Sequence, residues 1–274
     1  MPTQTEKGLT FRALHERAGA FLIPNPWDTG TARLLAHLSF EALATTSAGC
    51  AFALGQPDNS LTRDQAMTHS SLIASATDLP VNGDLENGFG DDPEYVAETI
   101  RLAAAAGLAG GSIEDMARQP DHTIYEKEYA AERIRAAAEA ARALPFTFTL
   151  TARAENYLVG RADLADTIER LQAYQEAGAD VLYAPGLPNR DAIAAVVSSV
   201  DRPVNVVMGL QGVSLKLPEL SALGVKRVSV GSALARASFG AFLRAAREMH
   251  ESGGFSFAQD AVSYRELNAI FSRH

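Results

Sequence analysis

The chain has 274 residues, 47% hydrophobic and 21% charged, and its 24 Lys plus Arg against 33 Asp plus Glu leave a formal net charge of −9. That composition belongs to a folded globular protein with a large core, and its acidity argues against a nucleic-acid partner, which needs a basic surface. One cysteine, Cys50, excludes an internal disulfide framework and a four-cysteine zinc site; no apolar run approaches the roughly 18 residues of a membrane span, and the polar start lacks a signal core, so no membrane partner and a cytoplasmic location are expected.

Short apolar segments alternate with amphipathic ones. In chain order, strands are expected at residues 20–24, 42–46, 80–84, 111–114, 146–151, 181–185, 204–208 and 227–230. Most are apolar throughout, as strands buried on both faces are. Residues 146–151 instead alternate Phe-Thr-Phe-Thr-Leu-Thr. Helical patterns occupy residues 62–76, 92–106, 129–144, 161–177, 190–199, 214–223 and 233–250. Pro93 suits a first helical turn, and Gly107 and Gly178 suit helix ends. The phrases AAAGLAGGSIED, QEAGADVLYAPG and SALGVKRVSVG share one grammar: a helix stops at Gly, a short loop follows, a buried strand begins. Repeated βα units predict a parallel sheet. Eight of them predict one α/β domain over residues 1–274, a (β/α)8 TIM barrel, with residues 256–271 as an additional C-terminal helix packed on the barrel or on a neighbouring subunit. An open doubly wound sheet is the alternative, but no early Gly-x-Gly-x-x-Gly supports it.

In a barrel the chemistry lies at the C-terminal ends of the strands. The first expected strand ends in Asn25-Pro26-Trp27-Asp28, with Trp27 a candidate substrate contact. The second ends in Thr45-Thr46-Ser47-Ala48-Gly49, a small-residue loop whose N–H groups could meet a carboxylate or an oxyanion. The third ends in Asp84-Leu85-Glu86, the fourth in Glu114-Asp115 and the fifth in Arg153-Ala154-Glu155. Asp84, Glu86 and Glu114 are hard oxygen ligands that suit Mg²⁺ or Mn²⁺ held partly through water. In an extended segment Asp84 and Glu86 would point to one side. Taken singly, each carboxylate is equally well a helix-terminal acid or an ion-pair partner of Arg153. Arg153 could clamp a substrate carboxylate or pair with Glu155 or Glu114. Cys50 reads as a small core residue, and His122 as a loop residue, more simply solvated than catalytic.

The ordered phrases LIPNPWDTGTARLLA, FEALATTSAG, LGQPD, DLENGFGDDPE, SIED, LTARAENYL, YAPGL and PVNVVMG resemble the isocitrate lyase/phosphoenolpyruvate mutase superfamily, in its short phosphonomutase-like branch. The resemblance implies a (β/α)8 barrel, a homo-oligomer (a tetramer, or a dimer by helix exchange), one Mg²⁺ and a small 2-oxo acid or its enolate. By the same resemblance Asp84 is the direct metal ligand, Glu86 takes the place of the second acid of an Asp-x-Asp motif, and Glu114 and Asp58 reach the metal through water. Ser47, Ala48 and Gly49 hold the substrate carboxylate and carbonyl, Arg153 binds substrate, and Asn205 is the asparagine of the seventh strand. The stretch MARQPDHTIYEKE lacks the Lys-(Lys/Arg)-Cys-Gly-His loop of the isocitrate and methylisocitrate lyases, and with it their acid/base cysteine. The expectation is therefore a Mg²⁺-dependent carbon–carbon lyase on a small 2-oxo acid, oxaloacetate decarboxylation first. C–P mutase or hydrolase chemistry, cleavage of a 2-hydroxy acid, and non-catalytic binding of a 2-oxo acid are the alternatives.

Overall fold

A computed structural model describes residues 2–117, 123–210 and 212–272. Eight parallel strands run β1 Phe21–Ile23, β2 Leu43–Ala44, β3 Val81–Asp84, β4 Gly110–Glu114, β5 Thr149–Arg153, β6 Val181–Tyr183, β7 Val204–Val207 and β8 Arg227–Ser229. Their order is β1-β8-β7-β6-β5-β4-β3-β2. The Ala44 N–H donates to Pro24 O at 3.0 Å across the remaining seam, and the Asn25 amide donates to Thr45 O at 2.9 Å just above it. The architecture is the expected (β/α)8 barrel.

The helices are α1 Gln4–Glu16, α2 Thr29–His37, α3 Ser47–Ala53, α4 Arg63–Ala76, α5 Pro93–Ala105, α6 Lys127–Arg142, α7 Leu164–Ala177, α8 Arg190–Ser198, α9 Leu217–Ala222, α10 Ala233–Ser252 and α11 Tyr264–Phe271. Their starts carry ordinary caps: Asp28, Thr62 and Asp163 each accept from the first turn, and Pro93 opens α5 behind Asp92. Gly178 ends α7 at φ 108°, a conformation that favours glycine. Ala, Leu, Ile and Val side chains between the helices and the outer face of the sheet make up the main core.

The structure departs from the sequence expectations in four places. The fifth strand begins at Thr149 rather than residue 146. Residues 256–271 are not one helix: a 3-10 turn, Ser256–Asp260, precedes α11, with Ser263 capping the new start. Ser47-Ala48-Gly49 is not a loop but the first turn of α3, capped by Thr46. The N-terminal segment forms α1, which closes the lower end of the barrel.

That helix is only weakly amphipathic, because much of its anchoring is polar. Phe11 and Leu14 are buried against the barrel floor. Gln4 Nε2 donates to Ala104 O at 2.7 Å and Leu108 O at 3.0 Å, while Lys7 Nζ donates to Ala74 O at 3.1 Å and Thr77 O at 2.7 Å. These are carbonyls at the C-terminal ends of α5 and α4 and just beyond, where donors and positive charge are favoured. At Gly8 an added Cβ would stand 2.2 Å from Thr147 O, so only glycine allows this approach.

His15 completes the plug. It is buried, and burial first, then the nearby Arg227 charge, push its pKa from 6.5 down to about 3. An unfolded chain takes up a proton at this residue below about pH 6.5, whereas the folded chain does not until about pH 3. Its contribution to stability is complete above the unfolded pKa and is lost as pH falls, at about 1.4 kcal/mol per unit. The unfolding free energy of wild type relative to His15→Gln, measured by urea titration, is expected to decline at about that slope from pH 6 to pH 4. A pH-independent difference would show that the imidazole is protonated in the fold.

Candidate active site at the barrel mouth

The C-terminal ends of β3, β4 and β5 bring Asp84, Glu114 and Arg153 together. Arg153 is mostly buried. Its Nη1 lies 3.2 Å from Glu114 Oε2 and 3.7 Å from Asp84 Oδ1. Its Nε and Nη2 donate to the two oxygens of Glu155. Its guanidinium carbon stands 5.2 Å from the centroid of the Tyr183 ring. Of the ion-pair partners considered for Arg153 from sequence, Glu114, Glu155 and Asp84 are thus present.

Asp84 is held from the other side by α3. The Ser47 N–H and Oγ–H both donate to Asp84 Oδ2, at 2.9 and 2.8 Å, and the Asp84 N–H donates to Thr45 Oγ1 at 2.8 Å. One carboxylate oxygen is thereby anchored at a helix start, while the other faces Arg153 and the cavity. Ala48 is half-buried beside Ser47. Gly49 is needed for space: a Cβ there would lie 2.5 Å from Thr46 Cγ2 and 3.1 Å from Trp27 Cβ. Trp27 is half-buried at the end of β1, and its carbonyl lies 3.0 Å from His69 Nε2.

Glu86 does not share the strand face of Asp84. The strand ends at Asp84, and Glu86 adopts φ 47°, so the period-two argument fails where the chain turns. Its carbonyl still accepts from the Glu114 N–H at 2.9 Å, and its charge acts on Glu114. Asp58 is an exposed residue whose carboxyl end is crowded by protein; this desolvation raises its pKa, Asp84 adding to it and Arg153 opposing it. Asn205 lies deeper, fully inside the barrel, where its Oδ1 and Nδ2 are bonded to Arg227 and Ser229. Cys50 is buried and its thiol is pushed up to about 11, first by burial and then by Glu86. It is a core residue, as expected. His122 falls outside the described residues.

Sequence reading placed Glu155 only as an ion-pair partner of Arg153, gave Asp115 no role of its own, and passed over Tyr183. Burial raises the pKa of Glu114 well above the carboxylate range and that of Glu155 to about 7, with Arg153 pulling both down. Three acids therefore share one guanidinium. Asp115 does not face the mouth: it accepts from the Glu155 N–H at 2.8 Å, from Arg170 Nη1 at 3.1 Å and from the Tyr174 hydroxyl at 2.5 Å. It ties α7 to the turn that carries Glu155. Arg133 does similar work beneath the β3 turn, donating to the carbonyls of Asn87, Gly90 and Asp91.

Among the described residues no group of three His, Cys, Asp or Glu is disposed to hold a metal ion directly. The donors at the mouth are all carboxylate oxygens, and Asp84 is partly exposed with one oxygen turned to the cavity. Such a set fits a hard divalent cation bound by one carboxylate and otherwise through water. The cavity below, about 50 Å³, is lined by Asp84, Arg153, Tyr183, Asn205, Arg227 and Ser229. A larger groove, about 660 Å³, opens on the opposite end of the barrel around Arg142, Phe146 and Arg202. The mouth is nonetheless the candidate site, because the coupled acids and the arginine converge there and barrel chemistry occupies that face.

The chain matches the family model described as phosphoenolpyruvate phosphomutase over residues 11–250. A crystal structure from Burkholderia cenocepacia J2315, assigned provisionally as a lyase/mutase, is 64% identical, with a TM-score of 0.96 over 98% of this chain and 96% of that one. A Mycobacterium tuberculosis protein of uncharacterised activity is 32% identical over 95% of each chain. The oxaloacetate decarboxylase of Chromohalobacter salexigens is 29% identical over 97% of this chain and 94% of that one.

The arrangement makes the Asp115–Arg170 pair a support of the site. Arg170→Met leaves the buried Asp115 carboxylate without its cation and is expected to cost about 3–5 kcal/mol, read as a lower midpoint of chemical denaturation. An unchanged midpoint would show that Tyr174 and the Glu155 N–H suffice for Asp115.

Proposed function

The chain belongs to the phosphoenolpyruvate mutase/isocitrate lyase superfamily, and from that premise we propose that it is a Mg²⁺-dependent lyase acting on a small 2-oxo acid, with oxaloacetate decarboxylation as its reaction. The observation that carries this reading is Asp84, with one oxygen fixed by Ser47 and the other turned to the cavity beside Arg153. Asp84 would hold the metal, with Glu86, Glu114 and Asp58 reaching it through water. The bound cation supplies Lewis-acid stabilisation of the negative charge that develops on the keto oxygen.

The chain's own residues do the rest. Arg153 receives the substrate carboxylate by sharing a guanidinium now engaged by Glu114 and Glu155, so the acids set how strongly it binds. The half-buried Trp27 and Ala48 and the buried Gly49 shape the wall beside it, and the lack of a side chain at Gly49 lets that wall pack closely. In decarboxylation the C3–C4 bond breaks, CO₂ departs, and the electron pair becomes the enolate of pyruvate, which is then protonated at C3. No cysteine is required for this, in keeping with the missing lyase loop. The similarity to oxaloacetate decarboxylases supports the choice. C–P chemistry on a phosphonopyruvate-like substrate is the second reading, favoured by the family model.

Incubation with oxaloacetate and Mg²⁺ is expected to release pyruvate well above the metal-only rate. Asp84→Ala is expected to lower this by at least about a hundredfold; full activity in that variant would remove the metal assignment. Phosphonopyruvate turnover without oxaloacetate turnover would select the second reading. Thermal stabilisation by 2-oxo acids without turnover of either would leave a binding protein.

The functional unit is a homo-oligomer in this reading. Along the twenty residues of α10 only Ala235 is buried, and Phe242 is 68% exposed, Leu243 47% and Met249 44%. An apolar stripe of this kind marks an interaction face. The segment after it returns to its own chain, where Ile270 is buried and α11 packs on α2. The helix offered to a second copy is therefore α10 rather than α11. Light scattering is expected to give a tetramer or dimer, and Phe242→Glu to shift it toward monomer; a monomeric wild type would sink the assembly.

A further inference from the structure

The groove at the lower end of the barrel has no part in the chemistry at the mouth. Its volume is about 660 Å³, against about 50 Å³ for the cavity beneath the mouth. Sites for small organic ligands run to roughly 300–1,000 Å³. The lower face of such a barrel ordinarily serves stability, so a concavity of that size there is unexplained by the reaction. It lies between α1 and the lower ends of α6, β5 and β6. Gly8 brings α1 against Thr147 O, and Arg12 and Glu16, one and two turns further along, stand on the α1 side of the groove. Arg142 at the end of α6, Asp180 before β6 and Arg202 before β7 stand on the other.

The lining has two parts. Leu144, Pro145, Phe146 and Pro203 supply apolar surface, and Phe146 is only half-buried. Three guanidiniums, those of Arg12, Arg142 and Arg202, come from three separate elements, on a chain whose net charge is −9. The two acids of the groove are already engaged. Glu16 Oε1 accepts from Arg12 Nε at 2.8 Å, and Asp180 Oδ2 accepts from the Leu150 N–H at 2.8 Å. Arg142 and Arg202 are exposed, and among the described residues neither is in an ion pair. Arg142 Nη2 donates to Gly178 O at 3.3 Å. It lies so near because residue 178 is glycine: a Cβ there would stand 2.5 Å from that nitrogen. Positive charge is thus left over beside an apolar wall, and a concave apolar site with a few convergent polar groups is the usual form of a ligand pocket.

We infer that this groove binds a phosphate monoester of nucleotide size with a flat, largely apolar body. The phosphate takes Arg142 and Arg202, whose forked N–H donors match its oxygens in pairs. The flat body takes the wall at Phe146, where an aromatic ring offers area and stacking. A dianion answers two unpaired guanidiniums, whereas a single carboxylate answers one. Binding here needs neither the metal nor any residue of the mouth, so the inference stands independently of the decarboxylase reading.

Calorimetric titration of the full chain with AMP as the probe tests this. A dissociation constant of about 10–100 µM is expected, ordinary for a ligand of that size. Inorganic phosphate and adenosine, each with only part of the contacts, are expected to bind at least about tenfold more weakly. Arg142→Gln and Arg202→Gln change exposed residues, and each is expected to weaken AMP about tenfold or more, hydrogen bonds to a charged group being lost. Phe146→Leu, which keeps the wall apolar but removes the ring, is expected to weaken AMP and leave inorganic phosphate unchanged. Asp84→Ala is expected to bind AMP as wild type does. A wild type that does not bind AMP, including one whose groove a neighbouring copy covers, would overturn the inference. So would full AMP affinity in either arginine variant, or phosphate or adenosine alone binding as tightly as AMP. Loss of binding in Asp84→Ala with the arginine variants unaffected would place the nucleotide at the mouth and equally overturn it.

Discussion

The mouth of this barrel depends on one guanidinium shared among three carboxylates. Arg153 lies against Glu155, Glu114 and Asp84 in a pocket almost closed to water. Burying three acids costs more than one cation returns, which is why Glu114 and Glu155 hold protons more tightly than free carboxylates do. A site in that state has an excess of oxygen donors and a deficit of positive charge. In the proposed function a hard divalent cation would supply the missing charge, and an anionic substrate would then find both the cation and the arginine. The chemistry proposed for the site follows from this imbalance more than from any single residue.

The surrounding structure keeps that imbalance from relaxing. Asp84 cannot swing into a closer pair with Arg153, because Ser47 at the start of α3 holds its second oxygen. Glu155 cannot drift, because its backbone N–H is bonded to Asp115, which Arg170 and Tyr174 fix in turn. The β3 turn is laced by Arg133. Three helices, α3, α6 and α7, thus each contribute one restraint. This is the arrangement expected when groups must stay in place without their ligand.

Much of the fold was legible because a parallel strand buried on both faces must be apolar throughout, and the helix that follows must be striped. All eight strands and seven of the helices stand within a few residues of their expected places. The misses have physical reasons. The helix α1 anchors itself largely through Gln4 and Lys7 on distant carbonyls, which a hydrophobic pattern does not register. The helix α3 begins with Ser-Ala-Gly, residues that read as a turn unless the Thr46 cap is recognised. Arg227 and Tyr183 lie on short strands, where nothing in the neighbouring residues distinguishes an inward arginine from an outward one.

Residue order alone determined the number of βα units, the end of the barrel where the acids collect, and the hard-oxygen character of the candidate metal donors. These are properties of local pattern and residue chemistry, and they survive any detail of packing. Tertiary structure decided which acids meet Arg153, that Glu86 leaves the strand face at a left-handed turn, that Asp115 braces rather than lines the site, and that α10 keeps only Ala235 buried along its length. Those outcomes turn on distances between residues far apart in the chain and on a single backbone angle. Coulombic coupling, desolvation and hydrogen-bond direction exist only once the strands stand side by side.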